Sequence, residues 1–362
     1  MKSKAFFVGQ FSNKETNASS PAGDIVQKQI LKSFGEDVFF VSLSPTPIWP
    51  KGPFFVKGKS APRGKFISFL NFPIIKNIIF SFNIMVYVFK IKPKQTVIYN
   101  SYFFENLILL IIKSLKLSKI VCILQDYRIV GNFSFRAKLN DKIASYLLRF
   151  FDIVVPVSYE LANSLGISGE KVITFQGGVT EFGYSAFSCK TFSGDYAVYA
   201  GALEKHNGVD RLIYKWNELN IQKKLHIFGK GSLLSEVEEI ANRNHNIIFH
   251  GLVSQETVLE WQNNAKYNFC FRFSEGLAQE YFFPSKFFNV AMCPGLLVCN
   301  SFHGVPDSVK SSLGLIDDDL NDLAEVMNLS DSDIYANSER VRSDIITNYS
   351  WDSLISTIKN RF

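Results

Sequence analysis

The sequence has little that would commit a chain to an oxidising compartment, a metal centre or a bilayer. Only five of its 362 residues are cysteines (Cys122, Cys189, Cys270, Cys293 and Cys299), and none forms a C-x-x-C pair. Cys122, Cys270 and Cys299 lie inside apolar runs, the usual setting of a buried reduced thiol. An odd count without regular spacing argues against a disulfide framework and for a reducing, cytoplasmic setting. His206, His245, His250 and His303 stand apart from cysteines and carboxylates at ligand spacing, and the run Asp317–Asp319 reads as a solvated loop. No metal site and no resident cofactor are expected.

Long hydrophobic runs are also missing. Ile78–Ile91 and Leu107–Ile112 fall short of the roughly 20 residues a spanning helix needs, and Lys76, Lys90 and Lys113 interrupt or flank them. Both read as core elements. A peripheral membrane contact of the Lys- and Phe-rich stretch 51–94 is the lesser alternative, on the inner face of a cell membrane. The opening stretch Ala5–Gly9 (AFFVG) reads as a first buried strand rather than part of a leader. Arginine is scarce, ten against 29 lysines, with no Arg-rich block. The net charge of +6, read as spread along the chain, suits anionic small molecules or a lipid surface better than nucleic acid.

What is present is ample apolar material: 47% hydrophobic and 20% charged residues. That excludes global disorder, and the length suits two α/β domains. The 35 phenylalanines carry little weight singly. Short β-branched or aromatic runs alternate with longer amphipathic segments, the pattern of βα units and parallel sheets. Strands are predicted at Ala5–Val8, Val38–Ser42, Thr96–Tyr99, Ile120–Leu124, Ile153–Pro156 and Val172–Phe175, with helices at Asp24–Phe34, Phe103–Leu115 and Arg136–Phe151. The Pro-, Gly- and Lys-rich stretch Pro45–Lys65 reads as a loop.

A second set of strands begins near Tyr196 and continues through Leu225–Gly231, Ile247–Gly251, Tyr267–Phe273 and Gly295–Asn300. Helices are predicted between them at Gly208–Leu219, Ser232–Asn242 and Ser254–Asn263. The polar stretch Thr180–Asp195 marks the joint between two doubly wound sheets. In open sheets of this kind the ligand sits beyond the carboxyl ends of the strands.

The second half resembles, segment by segment and in order, the nucleotide-binding domain of the family-4 retaining glycosyltransferases. The matching pieces are Gly201-Ala202-Leu203 with Asn207-Gly208, the strand end Ile227–Gly231, Ile247–Gly251, the run Phe282–Val298 (FFPSKFFNVAMCPGLLV), and the closing segment Asn348–Ile358. The resemblance implies the GT-B architecture: two Rossmann-like doubly wound α/β domains facing a cleft. Residues 1–185 would bind acceptor, 186–345 would bind the nucleotide-sugar donor, and 346–362 would form a helix returning to the first domain.

The implied activity is transfer of a sugar, as in hexosyltransferases, from a nucleotide diphosphate sugar (UDP, GDP or dTDP). The acceptor would be a glycan or lipid-linked oligosaccharide, as in bacterial O-antigen or capsule assembly, and the reaction metal-independent. A glycosyltransferase-like subunit that binds without catalysis is the alternative. The implied donor site comprises Gly201, Lys205, Gly229, Gly231, Gly251, Arg272, Pro284, Ser285, Lys286 and Asn289. Glycine turns let a diphosphate approach backbone N–H groups, and Lys286 and Arg272 add charge. Catalytic candidates are Asp126, as acceptor base or as a turn cap, and Glu280, against the donor sugar; Glu275 is a nearby carboxylate. Gly9, Gln10, Asn100 and Gln125 end strands on the acceptor side. Three departures stand out: Ala202 and Asn207 occupy positions where the family carries cations, and Asn289 replaces the ribose-binding glutamate. Asn289 is expected to accept a ribose hydroxyl without the charge.

Overall fold

The computed structural model describes residues 5–12, 21–125, 127, 135–273 and 279–362. The chain divides into two compact units: Met1–Gln176 with Glu280–Phe282 and Trp351–Phe362, and Gly177–Gln279 with Phe283–Ser350.

The first unit contains strands β1 (Ala5–Gly9), β2 (Val38–Ser42), β3 (Phe55–Val56), β4 (Lys59–Ala61), β5 (Gly64–Phe66), β6 (Phe69–Leu70), β7 (Gln95–Tyr99), β8 (Lys119–Leu124) and β9 (Ile153–Pro156). Its helices are α1 (Pro21–Phe34), α2 (Pro73–Ile91), α3 (Phe103–Ser114), α4 (Phe135–Leu147) and α5 (Tyr159–Ser164). The main sheet runs β4-β5-β2-β1-β7-β8-β9 and is parallel except for β4, which returns antiparallel on β5. Ile120–Leu124 is fully buried, because a strand covered on both faces reads as one apolar run without alternation.

The second unit opens with α6 (Glu181–Ser188) and builds the sheet β12-β11-β10-β13-β14-β15. Its strands are β10 (Gly194–Ala200), β11 (Lys224–Phe228), β12 (Ile247–Phe249), β13 (Ala265–Phe269), β14 (Leu296–Asn300) and β15 (Gly314–Ile316), all parallel. Helices α7 (Val209–Glu218), α8 (Leu234–Arg243), α9 (Gln255–Asn264), α10 (Lys286–Val290), α11 (Asp307–Lys310), α12 (Leu323–Val326) and α13 (Asp331–Asn348) alternate with these strands or follow them. Leaving out the hairpin strand β4, both main sheets add their strands in the order third, second, first, fourth, fifth, sixth, although no repeat shows in the sequence.

The last helix, α14 (Trp351–Asn360), belongs to the first unit. Trp351, Leu354, Ile355 and Ile358 are buried at the spacing of one helical stripe. Trp351 meets Phe175 edge-on at 5.0 Å.

Several expectations need correction. The loop expected over 45–65 contains β3, β4 and β5, and β5 joins the main sheet through β2. Val172–Phe175 forms no strand and contributes a single bridge, Val154 to Val172. The joint Thr180–Asp195 contains α6, which packs on α10. Helix α2 is longer than the apolar run that suggested it, and only one of its faces is core. It buries Phe80, Ser81, Ile84 and Val88 and exposes Ile74, Ile78, Phe82, Val86 and Phe89. A helix lying on a sheet covers it with one stripe, so an all-apolar helix there must leave the other stripe bare. Nor is the charge spread evenly. Residues 45–152 carry 17 Lys and Arg against four Asp and Glu, a net +13, so the rest of the chain is net −7.

On the second sheet, His226 Nδ1 lies 2.9 Å from His250 Nε2, with Trp261 and Phe228 against their rings. Burial, then His250, then Lys224 push His226 down to about 4, and burial lowers His250. Between pH of about 6.5 and about 4 the unfolded chain therefore takes up a proton that the folded one refuses, so stability falls on acidification through that window. His226→Phe should flatten this fall by on the order of 2 kcal/mol, read from urea unfolding at pH values across it. Identical slopes for variant and wild type would contradict the assignment.

Candidate functional site

Strands β10 and β13 are neighbours in the second sheet but enter it first and fourth, so the chain leaves them in opposite directions. That is the switch point at which doubly wound sheets bind ligands. β10 runs out into Gly201-Ala202, and β13 into Cys270–Phe273.

Gly201 borders the mobile end of one side chain. A Cβ there would lie 2.6 Å from Lys286 Nζ. The ammonium occupies that space, donating to the Ala200 carbonyl at 3.0 Å and lying 4.9 Å from the centre of the Tyr199 ring. Burial lowers the Lys286 pKa from the usual lysine range; Cys270 opposes this and the nearby Arg272 adds to it. Among the described residues Lys286 has no carboxylate partner. An ammonium carries three donors, and a desolvated cation without an anion is costly. A bound anion would relieve both deficits.

Arg272 is held by its backbone. Asn300, at the end of β14 and 1% exposed, accepts from Arg272 N at 2.9 Å and donates to Arg272 O at 2.9 Å. Its second amide hydrogen goes to Asp318 Oδ1 at 2.8 Å. One buried amide thus fixes the point where the chain leaves β13. The guanidinium is half-buried, which lowers its pKa, and its Nη1 lies 3.5 Å from Asn207 Oδ1.

The uncharged positions Ala202 and Asn207 form a closed turn. Asn207 Nδ2 donates to Ala202 O at 3.0 Å, and the buried Tyr199 hydroxyl lies 3.1 Å from the same carbonyl. Lys205 is exposed in that turn. Gly208 (φ +68°) leads into α7, and a Cβ there would strike the Phe273 ring.

The remaining glycines do different work from that expected of a diphosphate cradle. A Cβ at Gly229 would come within 1.9 Å of Gly201 O, and one at Gly231 within 2.3 Å of Leu203 O. Both let the loops after β10 and β11 pack backbone to backbone. Glu204 reinforces that packing by accepting from Ser232 N at 3.0 Å. Gly251 lies beyond the edge strand β12, two strands and so roughly 10 Å from β10. It serves a turn, with its carbonyl accepting from Gly229 N at 2.9 Å. Pro284 O accepts from Phe287 N at 2.9 Å, closing the turn into the five-residue α10, and Ser285 is exposed.

Asn289 requires a correction. Its Oδ1 accepts from Thr180 N at 2.9 Å and from Thr180 Oγ1 at 3.1 Å. A carbonyl oxygen has two lone pairs, and both are taken in tying α10 to the start of α6. It has none left for a ribose hydroxyl; only the amide Nδ2 remains to donate.

Glu280 groups with the first unit, where its carbonyl accepts from Ser158 Oγ and the neighbouring Tyr281 meets Tyr127 edge-on at 6.0 Å. Asp126 and Glu275 lie outside the described residues. The four acceptor-side candidates come together at the carboxyl edge of the first sheet. Gln27, buried on α1, takes Gln10 N at 2.8 Å and returns a bond to Gln10 O at 3.0 Å. A Cβ at Gly9 would meet that same Gln27 side chain at 2.6 Å. Asn100 (φ +62°) accepts from Gln125 N at 3.0 Å, and Gln125 Nε2 donates to Phe175 O at 3.0 Å. Beside them Asp24 accepts from Ser12 N at 2.8 Å, and burial raises its pKa. Among the described residues no group of three or more His, Cys, Asp or Glu is placed to hold a metal ion.

Asn300, Tyr199 and Gln27 carry no role in the sequence reading. The one signal for Asn300 was a polar residue closing an apolar strand (LLVCN).

No known protein family and no curated protein matches the chain by sequence. In fold it is similar to the sucrose-phosphate synthase (tll1590) from Thermosynechococcus elongatus. That protein is 12% identical, with a TM-score of 0.69 over 99% of this chain and 98% of that one. It is likewise similar to Anabaena Alr3699/HepE in complex with UDP, 14% identical, with a TM-score of 0.68 over 99% and 100% of the two chains. A third likeness is to a trehalose-6-phosphate synthase studied with bisubstrate glycomimetics for glycosyl transfer with retention. It is 10% identical, with a TM-score of 0.65 over 99% of each chain. At such identities the likeness shows the fold, and the fold is GT-B.

Lys286 and Asn300 should separate cleanly in stability. Lys286→Met removes a desolvated charge and should leave the urea midpoint unchanged or raised. Asn300→Leu strands two buried backbone groups and should cost about 2–4 kcal/mol. A Lys286→Met protein destabilised as much as Asn300→Leu would show that the lysine is a structural tie.

Proposed function

We propose that the protein is a retaining glycosyltransferase whose donor is a nucleoside diphosphate sugar. The observation that carries this reading is the Lys286 ammonium over Gly201, beside Arg272, at the switch point of the second sheet. Two cations facing a glycine turn suit the diphosphate of such a donor and, still better, the charge that builds on it as the glycosidic bond breaks. The bond from the anomeric carbon to the diphosphate oxygen breaks and one to the acceptor oxygen forms on the same face. The acceptor proton passes to the departing diphosphate. With Lys286 and Arg272 neutralising the leaving group, the reaction would run without a metal.

We take UDP as the first donor to test, since HepE was solved with UDP, with GDP and dTDP next and the transferred sugar a hexose. The acceptor would be a glycan or lipid-linked oligosaccharide of a bacterial surface polysaccharide such as O-antigen or capsule, held by the first unit at Gly9, Gln10, Asn100 and Gln125. A second reading, binding without catalysis, is favoured by the commitment of Asn289 Oδ1 to Thr180.

Release of nucleoside diphosphate from UDP-glucose, GDP-mannose and dTDP-glucose, with and without EDTA, distinguishes the two. Slow hydrolysis of one donor, unaffected by EDTA, is expected. Tight nucleotide binding with no hydrolysis or transfer from its sugar would leave the binding-only reading.

A further inference from the structure

Three successive helices of the first unit, α2, α3 and α4, pack side by side in that order, and each turns an apolar stripe outward. Phe82 and Phe89 on α2 are 67% and 48% exposed, Leu107 and Ile111 on α3 are 39% and 47%, and Ile143 and Tyr146 on α4 are 43% and 52%. Exposed apolar residues are ordinary when scattered, but a continuous face of this kind marks a contact surface. The exposed stripe of α2 carries no charge from Ile74 to Phe89 and meets its first, Lys90, in the last turn.

The charges lie around this face. Lys90, Lys92, Lys116 and Lys142 are exposed at the ends or flanks of the three helices. They belong to the stretch 45–152, whose net charge is +13 in a chain of +6. Trp49 is 48% exposed and packs against Phe72, the residue that precedes α2, with ring centroids 5.8 Å apart. Beside it, Asn71 donates to Pro47 O at 2.7 Å and to Pro53 O at 2.9 Å, pinning the segment. Tryptophan at the margin of an apolar face, with lysines around it, is the arrangement that suits the water–lipid boundary.

We propose that this face docks on an anionic lipid bilayer, with the stripes of α2, α3 and α4 in the headgroup–acyl boundary and the lysines against acidic headgroups. The helices lie in the membrane plane and do not cross it. Although α2 is long and apolar enough to span by length and composition, its other face is built into the sheet core through Phe80, Ile84 and Val88. A second copy of the chain is the poorer occupant. Two such faces would each bring the same positive charge, whereas acidic lipid satisfies the apolar stripe and the charge together. This reading does not rest on the donor site of the other unit.

The test is co-sedimentation of the full chain with phosphatidylcholine vesicles, with and without phosphatidylglycerol, followed also by tryptophan fluorescence. Trp216 and Trp351 are buried and Trp261 is packed against His226 and His250, so a blue shift on binding that is lost in Trp49→Phe reports on Trp49. Binding to the phosphatidylglycerol vesicles with a blue shift is expected, weakened by salt. It should fall on the order of tenfold or more in Phe82→Gln/Phe89→Gln and in Lys90→Glu/Lys116→Glu. All of these side chains are outward, so thermal melting and urea unfolding should match wild type and certify the fold. Equal binding to both vesicle types would overturn the proposal, as would no binding. So would self-association that the Phe82→Gln/Phe89→Gln pair abolishes without any vesicle binding.

Discussion

The ammonium of Lys286 lies where a folded protein ordinarily avoids a charge: partly desolvated, against a carbonyl and a ring, with no carboxylate among the described residues. Water solvates an ammonium better than that arrangement does, so the surrounding structure has to hold it there. Gly201, lacking a side chain, leaves room beside it. Gly229 and Gly231 let the next loop pack against the one after β10. The turn at Asn207 is closed on Ala202, and Asn300 fixes the chain at Arg272. These contacts stabilise loops at one end of one sheet, around a cation without a carboxylate partner among the described residues. Such an arrangement is expected where stability is traded for binding.

Much of the fold was legible in the sequence. Strands buried on both faces, such as Ile120–Leu124, read as unbroken apolar runs and were located to within a residue. Val38–Ser42 and Ile153–Pro156 matched at both ends. The misses share a cause. Two- and three-residue strands such as Lys59–Ala61 and Gly64–Phe66 are too short for periodicity to show. Helix α2 has no amphipathic pattern to reveal its exposed face, because both of its faces are apolar. The order of strands in the two sheets is a property of chain crossings that local sequence does not record.

The candidate site was legible as a scaffold and less so as a set of contacts. Gly201 and Lys286 emerged from motif spacing, but their relation, the glycine yielding space to the ammonium, is visible only in three dimensions. Gly229 and Gly231 occupy motif positions for the sake of loop packing. Asn289 stands where a ribose ligand was expected, yet its carbonyl oxygen is consumed by Thr180. A polar side chain has a fixed number of hydrogen bonds to make, and sequence position alone does not say which are already spent. The division of charge, +13 over residues 45–152 and −7 elsewhere, was countable from the start. It acquired meaning only when α2, α3 and α4 proved to pack side by side, each with exposed apolar side chains.

The central claim is that the switch point of the second sheet holds a diphosphate through Lys286. The most direct measurement compares the affinities of UDP and uridine, by calorimetry, for the wild type and for Lys286→Met. The account predicts that UDP binds wild type on the order of a hundredfold more tightly than uridine, and that the substitution removes at least about tenfold of that preference. Uridine affinity should stay the same. A UDP preference that survives the substitution intact, or none in wild type, would contradict it.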